Sequence, residues 1–469
     1  MRRIGCRLPL IAWACALCFG MSTVAQAEPP PAPAPAAMTP TPDAGVAPAA
    51  AMAPTAPSPD AGAASTATPP MAAPAGAGMA PPPAPAPPPA EVIPTPPGEP
   101  IAATPDMMGI PIKVGAGVRV GLRLQDPNNP KSMSNIRLDS PGYGNAVELR
   151  FSGDVTKNFG LTSNFNAVLN GGAGLATPAA VGIMDLIAKF HAADEFNIWA
   201  GRLLVPSDRS NFTGPFFMSP WNYPGFYFRG AGPLGPKDWA NGRDVGMTVW
   251  GNALEAKFKY YAGVYGLDQG LPNSSQPPGA NPYYSARVSY TFQGSEPGYF
   301  GSSTYYGGKE VFTVGAGAQY QKNGSVDVNT GNPTDTFLFM LDALAEENIS
   351  GFGTLDLEGQ FYKFNSGYNF GGATLPNPGG MGTIPIYAPD EAFYLLVSYL
   401  TPEPIGFGKI QPLVRWQQTV NPGWTIIDAA VAYVIKDYFA RIVATYEHID
   451  TGSDGGVANS VQLGFQVQK

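Results

Sequence analysis

At the C-terminal end of the chain, apolar residues alternate one by one with polar residues and glycine. In residues 459–469 (NSVQLGFQVQK) the apolar positions are Val461, Leu463, Phe465 and Val467. Residues 113–125 (KVGAGVRVGLRLQ) repeat the pattern, with Lys, Arg and Gly between the apolar positions. Successive side chains of a β-strand point to opposite faces, so both segments are predicted to be strands with one apolar and one polar face.

Strands of this kind fit two classes of protein. A soluble sandwich would pack the apolar faces together and leave the polar faces in water. A membrane barrel would turn the apolar faces to lipid and the polar faces to a water-filled lumen. The N-terminus distinguishes the two classes.

The N-terminus has the features of an export signal. An arginine-containing start precedes an apolar run over about residues 8–19, and Ala25-Gln26-Ala27 fits a small-residue cleavage site. Residues 1–27 are therefore predicted to be a cleaved secretory signal peptide. The alternative is a membrane anchor, for which the apolar run is short. An exported protein fits the membrane barrel better than the soluble sandwich.

Composition agrees with many alternating strands. Only 13% of residues are charged, against roughly 25% in ordinary soluble domains. After the signal, no stretch of 18 apolar residues occurs, so a membrane-spanning helix is not predicted. Cys6, Cys15 and Cys18 all lie in the signal, which excludes disulfides and cysteine-bound metals from the mature chain.

The net charge is acidic. It is −8 for the whole chain and about −11 once the three signal arginines are removed. A basic surface for nucleic acid is therefore not expected.

Strand patterns recur from about residue 109 to the end, separated by clusters of Gly, Pro, Asn and Asp. The predicted strands cover 112–124, 145–155, 159–170, 180–191, 196–205, 244–251, 254–266, 283–292, 310–321, 336–346, 353–364, 391–400, 409–418, 424–436, 438–449 and 458–468. Sixteen is an even number in the range of outer-membrane barrels. Residues 109–469 are thus predicted to form an all-β, 16-stranded antiparallel transmembrane barrel.

Residues 28–108 separate the signal from the barrel and consist almost wholly of Pro, Ala, Gly, Thr and Met. Such a segment cannot bury a core, so it is predicted to be a disordered periplasmic linker. At about 3.1 Å per residue in polyproline form, it could extend on the order of 200 Å. A flexible spacer and a segment that contacts peptidoglycan are the two interpretations.

Connection lengths alternate along the predicted barrel. The connections near 157, 194, 252 and 437 are short, whereas 124–144, 206–243 and 365–390 are long. Short periplasmic turns and long external loops are typical of outer-membrane barrels. Residues 293–309 and 401–409 fall on the short side and break the rule.

Alternation also predicts which charged residues line the lumen. The basic wall positions are Lys113, Arg119, Arg123, Arg150, Lys189, Arg202, Lys257, Lys259 and Arg287. Acidic residues collect on the later strands, from Asp342 to Glu358. Both signs occur, so net charge does not decide between anions and cations. The inward glycines Gly115, Gly117, Gly315 and Gly317 are expected to leave room for water.

The segment 206–243 is too long for a simple connection and unusually aromatic. Exposed to water, such a loop would be a liability, so it is predicted to fold into the barrel and narrow the pore. The predicted constriction residues are Asp208, Arg209, Arg229, Lys237, Asp238 and Arg243. The alternative is an external loop that packs on its neighbours or on another subunit.

The export signal, sixteen strand segments, a long loop after the fifth strand and a final Phe-containing strand resemble Gram-negative porins. AGRLLVPSDR, GYFGSSTYYGGKE and VGAGAQYQ are most similar to the phosphate-selective porin O/P group. This resemblance covers about residues 110–469. It implies a homotrimeric channel in outer-membrane lipid, a constricting third loop and an anion route along inward Arg and Lys. The chain departs from the porin pattern by not ending on an aromatic residue.

The resulting hypothesis is passive diffusion of small hydrophilic solutes across the outer membrane, with a preference for inorganic anions such as phosphate. The alternative is a structural protein that tethers the membrane to the cell wall through residues 28–108. Neither a cofactor nor an enzymatic activity is expected. His191 and His448 have no catalytic spacing around them, and neither a phosphate-binding loop nor a metal motif occurs.

Overall fold

In the computed structural model, the residues described are 102–107, 110–125, 136–138, 145–169, 180–222, 242–266, 281–327, 332–364, 368–376, 383–387, 390–420, 423–452 and 456–469. The predicted signal peptide, nearly all of the predicted linker, and Arg229, Lys237 and Asp238 lie outside these residues. Within them, no helix is long and apolar enough to cross a membrane.

The fold is a closed antiparallel β-barrel. The strands are β1 (Ala102–Met107), β2 (Ile110–Leu124), β3 (Ile136–Leu138), β4 (Asn145–Thr156), β5 (Phe159–Leu169), β6 (Ala180–Ala193), β7 (Phe196–Leu204), β8 (Arg243–Ala253), β9 (Phe258–Tyr265), β10 (Tyr283–Gln293), β11 (Val311–Asp327), β12 (Pro333–Ile349), β13 (Gly353–Phe364), β14 (Tyr368–Pro376), β15 (Thr383–Tyr387), β16 (Glu391–Leu400), β17 (Lys409–Val420), β18 (Thr425–Lys436), β19 (Ala440–Asp450) and β20 (Val457–Gln468).

Sixteen of these strands form the barrel, which confirms the predicted fold class. They are β2, β4 to β13 and β16 to β20, each paired with the next, and β20 pairs with β2 to close the ring. The strands β1 and β3 pair with the two ends of β2. The strands β14 and β15 form a hairpin inside the connection predicted as a loop at 365–390.

The two faces of the strands are arranged as a membrane barrel requires. Apolar side chains such as Val118 (43% exposed) and Leu161 (51% exposed) lie on the outer face. Polar side chains such as Arg119 (1% exposed) and Glu148 (3% exposed) are buried inside. This reversal of the soluble arrangement separates the barrel from the sandwich.

The predicted first residue of β9 was wrong. Residues 254–266 were predicted as one strand, but β9 begins at Phe258. Leu254, Glu255 and Ala256 have φ of 54°, 58° and 60°, so they form a left-handed turn. Strand geometry requires negative φ, and the tight turn consumes residues that the alternation had assigned to the strand.

The connections alternate in length as predicted. Residues 157–158, 194–195, 254–257, 350–352 and 437–439 form short turns at one end of the barrel. The long connections are at the other end. The two predicted exceptions, which span 294–310 and 401–408 in the structure, are on the short-turn side.

Two of the long connections fold into the lumen. From the loop end, residues 205–222 enter with a helix, α1 (Arg209–Thr213), and a 3-10 turn (Pro215–Phe217). From the short-turn end, residues 294–310 enter and are largely buried. Aromatic clusters form where these segments meet the wall, and Trp199 is buried inside against Tyr299.

Candidate functional site

The constriction loop, residues 205–222, is held across the lumen by arginines of the barrel wall. These arginines donate hydrogen bonds to backbone carbonyl oxygens of the loop: Arg287 to Ser207 at 2.9 Å, Arg441 to Ser219 at 3.0 Å, Arg415 to Asn222 at 2.6 Å, and Arg119 to Trp221. Buried carbonyls need donors, and a guanidinium group offers five N–H groups in a rigid fork. The wall arginines therefore position the loop as well as line the lumen.

Wall glycines provide the space into which the loop's aromatic rings fit. A Cβ atom on Gly464 would lie 2.5 Å from the Trp221 ring, and one on Gly117 would lie 2.8 Å from Phe216. The prediction that Gly117 leaves room for water was therefore wrong, because an aromatic ring occupies the space. The Arg119 guanidinium stacks over the Trp221 ring at 3.9 Å and fixes it further.

Five bases of the wall are paired with acids on the same strand, on the adjacent strand or two strands away. The nitrogen–oxygen distances are 2.9 Å for Arg150–Glu148, 2.7 Å for Arg243–Asp185, 2.5 Å for Arg287–Asp342, 2.7 Å for Arg415–Asp428 and 3.7 Å for Arg123–Glu447. The resemblance implied a row of basic charges for anions. The structure instead has a row of ion pairs, whose fields largely cancel at a distance.

Arg209, a predicted constriction residue, is buried in a bidentate ion pair. Its terminal nitrogens donate to the two Glu296 carboxylate oxygens at 2.9 and 2.6 Å, and Nη1 also donates to the Ser302 carbonyl at 2.8 Å. Burial alone would lower the pKa of Arg209 and raise that of Glu296. The pairing outweighs burial, so the pKa of Arg209 lies above its ordinary value and that of Glu296 below.

The other predicted constriction residues are distributed as follows. Asp208 is buried beside Tyr362, whose hydroxyl donates to Gln360. Arg243 begins β8 and is buried beside Asp185. Arg229, Lys237 and Asp238 are outside the described residues.

The predicted wall lysines range from buried positions in the lumen to exposed positions at the short-turn end of the barrel. Lys259 is buried inside, and Lys189 lies 4.5 Å above the Trp199 ring. Lys113 is exposed near the beginning of β2, and Lys257 is exposed in the turn before β9.

The inward orientation predicted for Arg202 is corrected by the register. Arg202 pairs with Leu186 on β6 and with Val245 on β8. Leu186 is exposed on the outer face, and directly paired residues share a face, so Arg202 lies on that outer face too. The pairing with β8 is continuous from Asn197 to Leu204, so Arg202 lies on the face opposite the inward Trp199.

A pocket remains between the constriction loop and the wall formed by β4, β5 and β6. Its lining residues are Glu148, Arg150, Asn164, Asp185, Leu204, Thr213, Gly214, Pro215, Phe216, Phe217, Arg243 and Phe300. Two ion pairs lie on its wall side, Phe216 and Phe217 lie on its loop side, and Phe300 of residues 294–310 also lines it. Asn164 is 8% exposed, and its side-chain oxygen has no hydrogen-bond partner.

Sequence reasoning missed the inner position of 294–310 and therefore missed Glu296 and Tyr299. The signal available was the length of this connection on the side where turns are short. Glu296 is 2% exposed and supplies the partner of Arg209, while Tyr299 stacks on Trp199 with ring centroids 4.4 Å apart.

Both histidines make local contacts with asparagine. The His191 ring nitrogen Nδ1 contacts Asn197, and that of His448 lies 2.8 Å from Asn459. Among the described residues, no group of three His, Cys, Asp or Glu is arranged to hold a metal ion.

No protein-family model matches the chain, and no curated protein matches it either. Among solved structures, it is similar to OmpF of Salmonella typhi in complex with daunomycin, with 12% identity, a TM-score of 0.49, and coverage of 77% of this chain and 98% of that chain. An anion-selective porin from Comamonas acidovorans has 14% identity, a TM-score of 0.45, and coverage of 76% and 99%. The outer membrane channel DcaP of Acinetobacter baumannii has 11% identity, a TM-score of 0.47, and coverage of 79% and 100%.

Proposed function

We propose that this protein is an outer-membrane porin through which small hydrophilic solutes diffuse passively. The observation that carries the proposal is the inverted barrel: apolar side chains face outward, and polar and charged side chains face a lumen that a loop narrows. A lipid-facing exterior with a polar interior suits a transmembrane channel. The pocket beside β4, β5 and β6 marks the proposed route past the constriction loop.

The chemistry along this route favours a general channel over an anion channel. A solute would pass the Arg150–Glu148 and Arg243–Asp185 ion pairs and the side chain of Asn164. Paired charges of both signs give little net field, so weak charge selectivity is expected. Arg209 is neutralised by Glu296, which weighs against the anion or phosphate preference implied by the resemblance.

The cellular arrangement proposed with this function follows the sequence. Residues 1–27 would direct export and be removed, residues 28–108 would lie in the periplasm, and the barrel would assemble as a homotrimer in the Gram-negative outer membrane. The short turns at the end of the barrel that holds the C-terminus support a periplasmic position for that end.

The test is reconstitution of the mature protein in planar bilayers and in liposomes. We expect discrete single-channel conductance steps and swelling with small sugars. Asn164→Phe should lower the conductance several-fold by filling the route. Leu161→Phe, on the lipid face of the same strand, is the matched control and should leave it unchanged.

Two results would contradict the proposal in different ways. A folded barrel without conductance would remove the channel function and favour the tether. Normal conductance in Asn164→Phe would leave the channel but move its route away from β5.

A further inference from the structure

We propose that residues 294–310 form a fixed inner plug that closes part of the lumen. This inference rests on the proposed channel function. The plug closes the side of the lumen bounded by β7 to β13, so conduction does not pass there, and the pocket beside β4 to β6 remains as the proposed route. The plug is docked on the constriction loop, and the two segments form one constriction built from both ends of the barrel.

The plug reaches through the barrel to the far end of β7. It begins and ends on the short-turn side, yet the Tyr299 hydroxyl donates to the Leu204 carbonyl at 2.7 Å. Leu204 is the last residue of β7, whose first residue follows a short turn. Nine residues of strand extend about 27 Å along its axis, so Tyr299 lies near the level at which the constriction loop begins.

Aromatic packing fills the space between the plug and the wall. The Tyr299 ring lies 4.4 Å from Trp199, 5.4 Å from Trp250 and 5.3 Å from Tyr261, measured between ring centroids. These wall residues belong to β7, β8 and β9, and all of them are buried. Such packing leaves no passage for a hydrated solute between Tyr299 and these three strands.

Carboxylates of β12 and β13 bind the next part of the plug. Glu346 accepts hydrogen bonds from the Thr304 hydroxyl at 2.8 Å and the Gly307 backbone nitrogen at 2.7 Å. Glu358 accepts one from the Ser303 hydroxyl at 2.6 Å. These buried hydrogen bonds hold the plug to β12 and β13 as well.

The plug and the constriction loop are joined directly. The Arg209–Glu296 ion pair links them, and the Gly301 backbone nitrogen donates to the Phe212 carbonyl at 3.2 Å. Buried, hydrogen-bonded backbone and a closed ion pair indicate a docked segment that stays in place while the channel conducts.

The first experiment removes the plug. Residues 294–311 are replaced by Asn-Gly, a two-residue hairpin turn placed between the paired residues Gln293 and Phe312 of β10 and β11. Folding is checked by heat-modifiable gel migration. We expect single-channel conductance to rise at least about two-fold because the plugged side opens. A folded variant with wild-type conductance would overturn the proposal that this segment closes part of the lumen.

The second experiment cross-links the plug to the constriction loop and does not depend on a deletion. A Cβ atom built on Gly301 lies 3.8 Å from the Phe212 Cβ, close to the mean spacing of about 3.8 Å in disulfides. All three native cysteines precede residue 19. Gly301→Cys with Phe212→Cys can therefore form a single disulfide within the barrel, and each single variant is a control.

We expect the folded double variant to form the disulfide on oxidation, shown by mass spectrometry. The oxidised and reduced forms should conduct equally, since the docked plug is the conducting arrangement. Failure to cross-link in a folded barrel would overturn the docking. Conductance that disappears on oxidation and returns with reductant would show that the plug must move. If wild type does not conduct, the proposed function fails, while cross-linking still tests the docking.

Discussion

Replacing Glu296 with Gln tests the ion pair that joins the two inner segments. The substitution keeps the shape of the side chain and removes its charge. Arg209, which is 3% exposed, keeps its hydrogen bond to the Ser302 carbonyl but loses the bidentate carboxylate. The nearest remaining acid is Asp342, with an oxygen 3.9 Å from Arg209 Nε, and it is already paired with Arg287.

The expected loss of stability follows from these distances. Removing one partner of a buried ion pair costs about 3–5 kcal/mol, because the other charge is left uncompensated. Partial compensation by Asp342 reduces this, so we expect a decrease of about 2–3 kcal/mol in the free energy of unfolding. The double variant Arg209→Gln with Glu296→Gln should lose less than the sum of the single variants.

Urea unfolding of the barrel in lipid vesicles, followed by tryptophan fluorescence, measures these free energies. Glu403→Gln, at an exposed position in another connection on the same side, is the matched control and should change stability by less than about 0.5 kcal/mol. If Glu296→Gln also changes it by less than about 0.5 kcal/mol, the ion pair does not hold the two segments together. Additive losses in the double variant would contradict a direct interaction.

Three further predictions concern the same lumen. Gly464→Ala should destabilise the barrel by about 1–3 kcal/mol in the same urea assay, because its Cβ would meet the Trp221 ring. Gly182→Ala, where the space is open, should not. In the folded protein the pKa of Glu296 lies below its ordinary value of 4.5, so its contribution to stability is complete above that pH and is lost as the pH falls. The urea midpoint of unfolding should therefore decrease more between pH 7 and pH 3 in wild type than in Glu296→Gln. Arg119→Lys should lower stability by about 1–2 kcal/mol and redshift tryptophan emission, since lysine cannot both bind the loop carbonyl and stack.

The architecture was predictable because alternation is a local property of the sequence. Each strand shows its own two faces, so sixteen strands, an inward polar face and a closed barrel follow without knowledge of which strands pair. The entry of residues 205–222 into the lumen was also predictable, since an aromatic loop of that length is costly in water. Only the portion up to Asn222 is described, so the positions of Arg229, Lys237 and Asp238 stay predictions.

The partners of the inward charges were not predictable, because they depend on register between strands. Arg287 on β10 and Asp342 on β12 are separated by β11, where they are opposite Gly317 and Gly315 respectively. A Cβ on Gly315 would collide with both charged groups. The sequence suggested that this glycine leaves room for water, whereas it leaves room for an ion pair between strands that are not neighbours.

Pairing changes what the inward arginines can do for a passing ion. A base selects anions only if its charge is not already balanced nearby, and a guanidinium whose N–H groups bind carboxylates and loop carbonyls has little capacity left. Arg119, Arg287 and Arg415 bind the constriction loop, so replacing one should alter the shape of the lumen before it alters the ionic preference. Selectivity in this barrel is therefore expected to depend on the width of the β4 to β6 side more than on the number of basic residues along the wall.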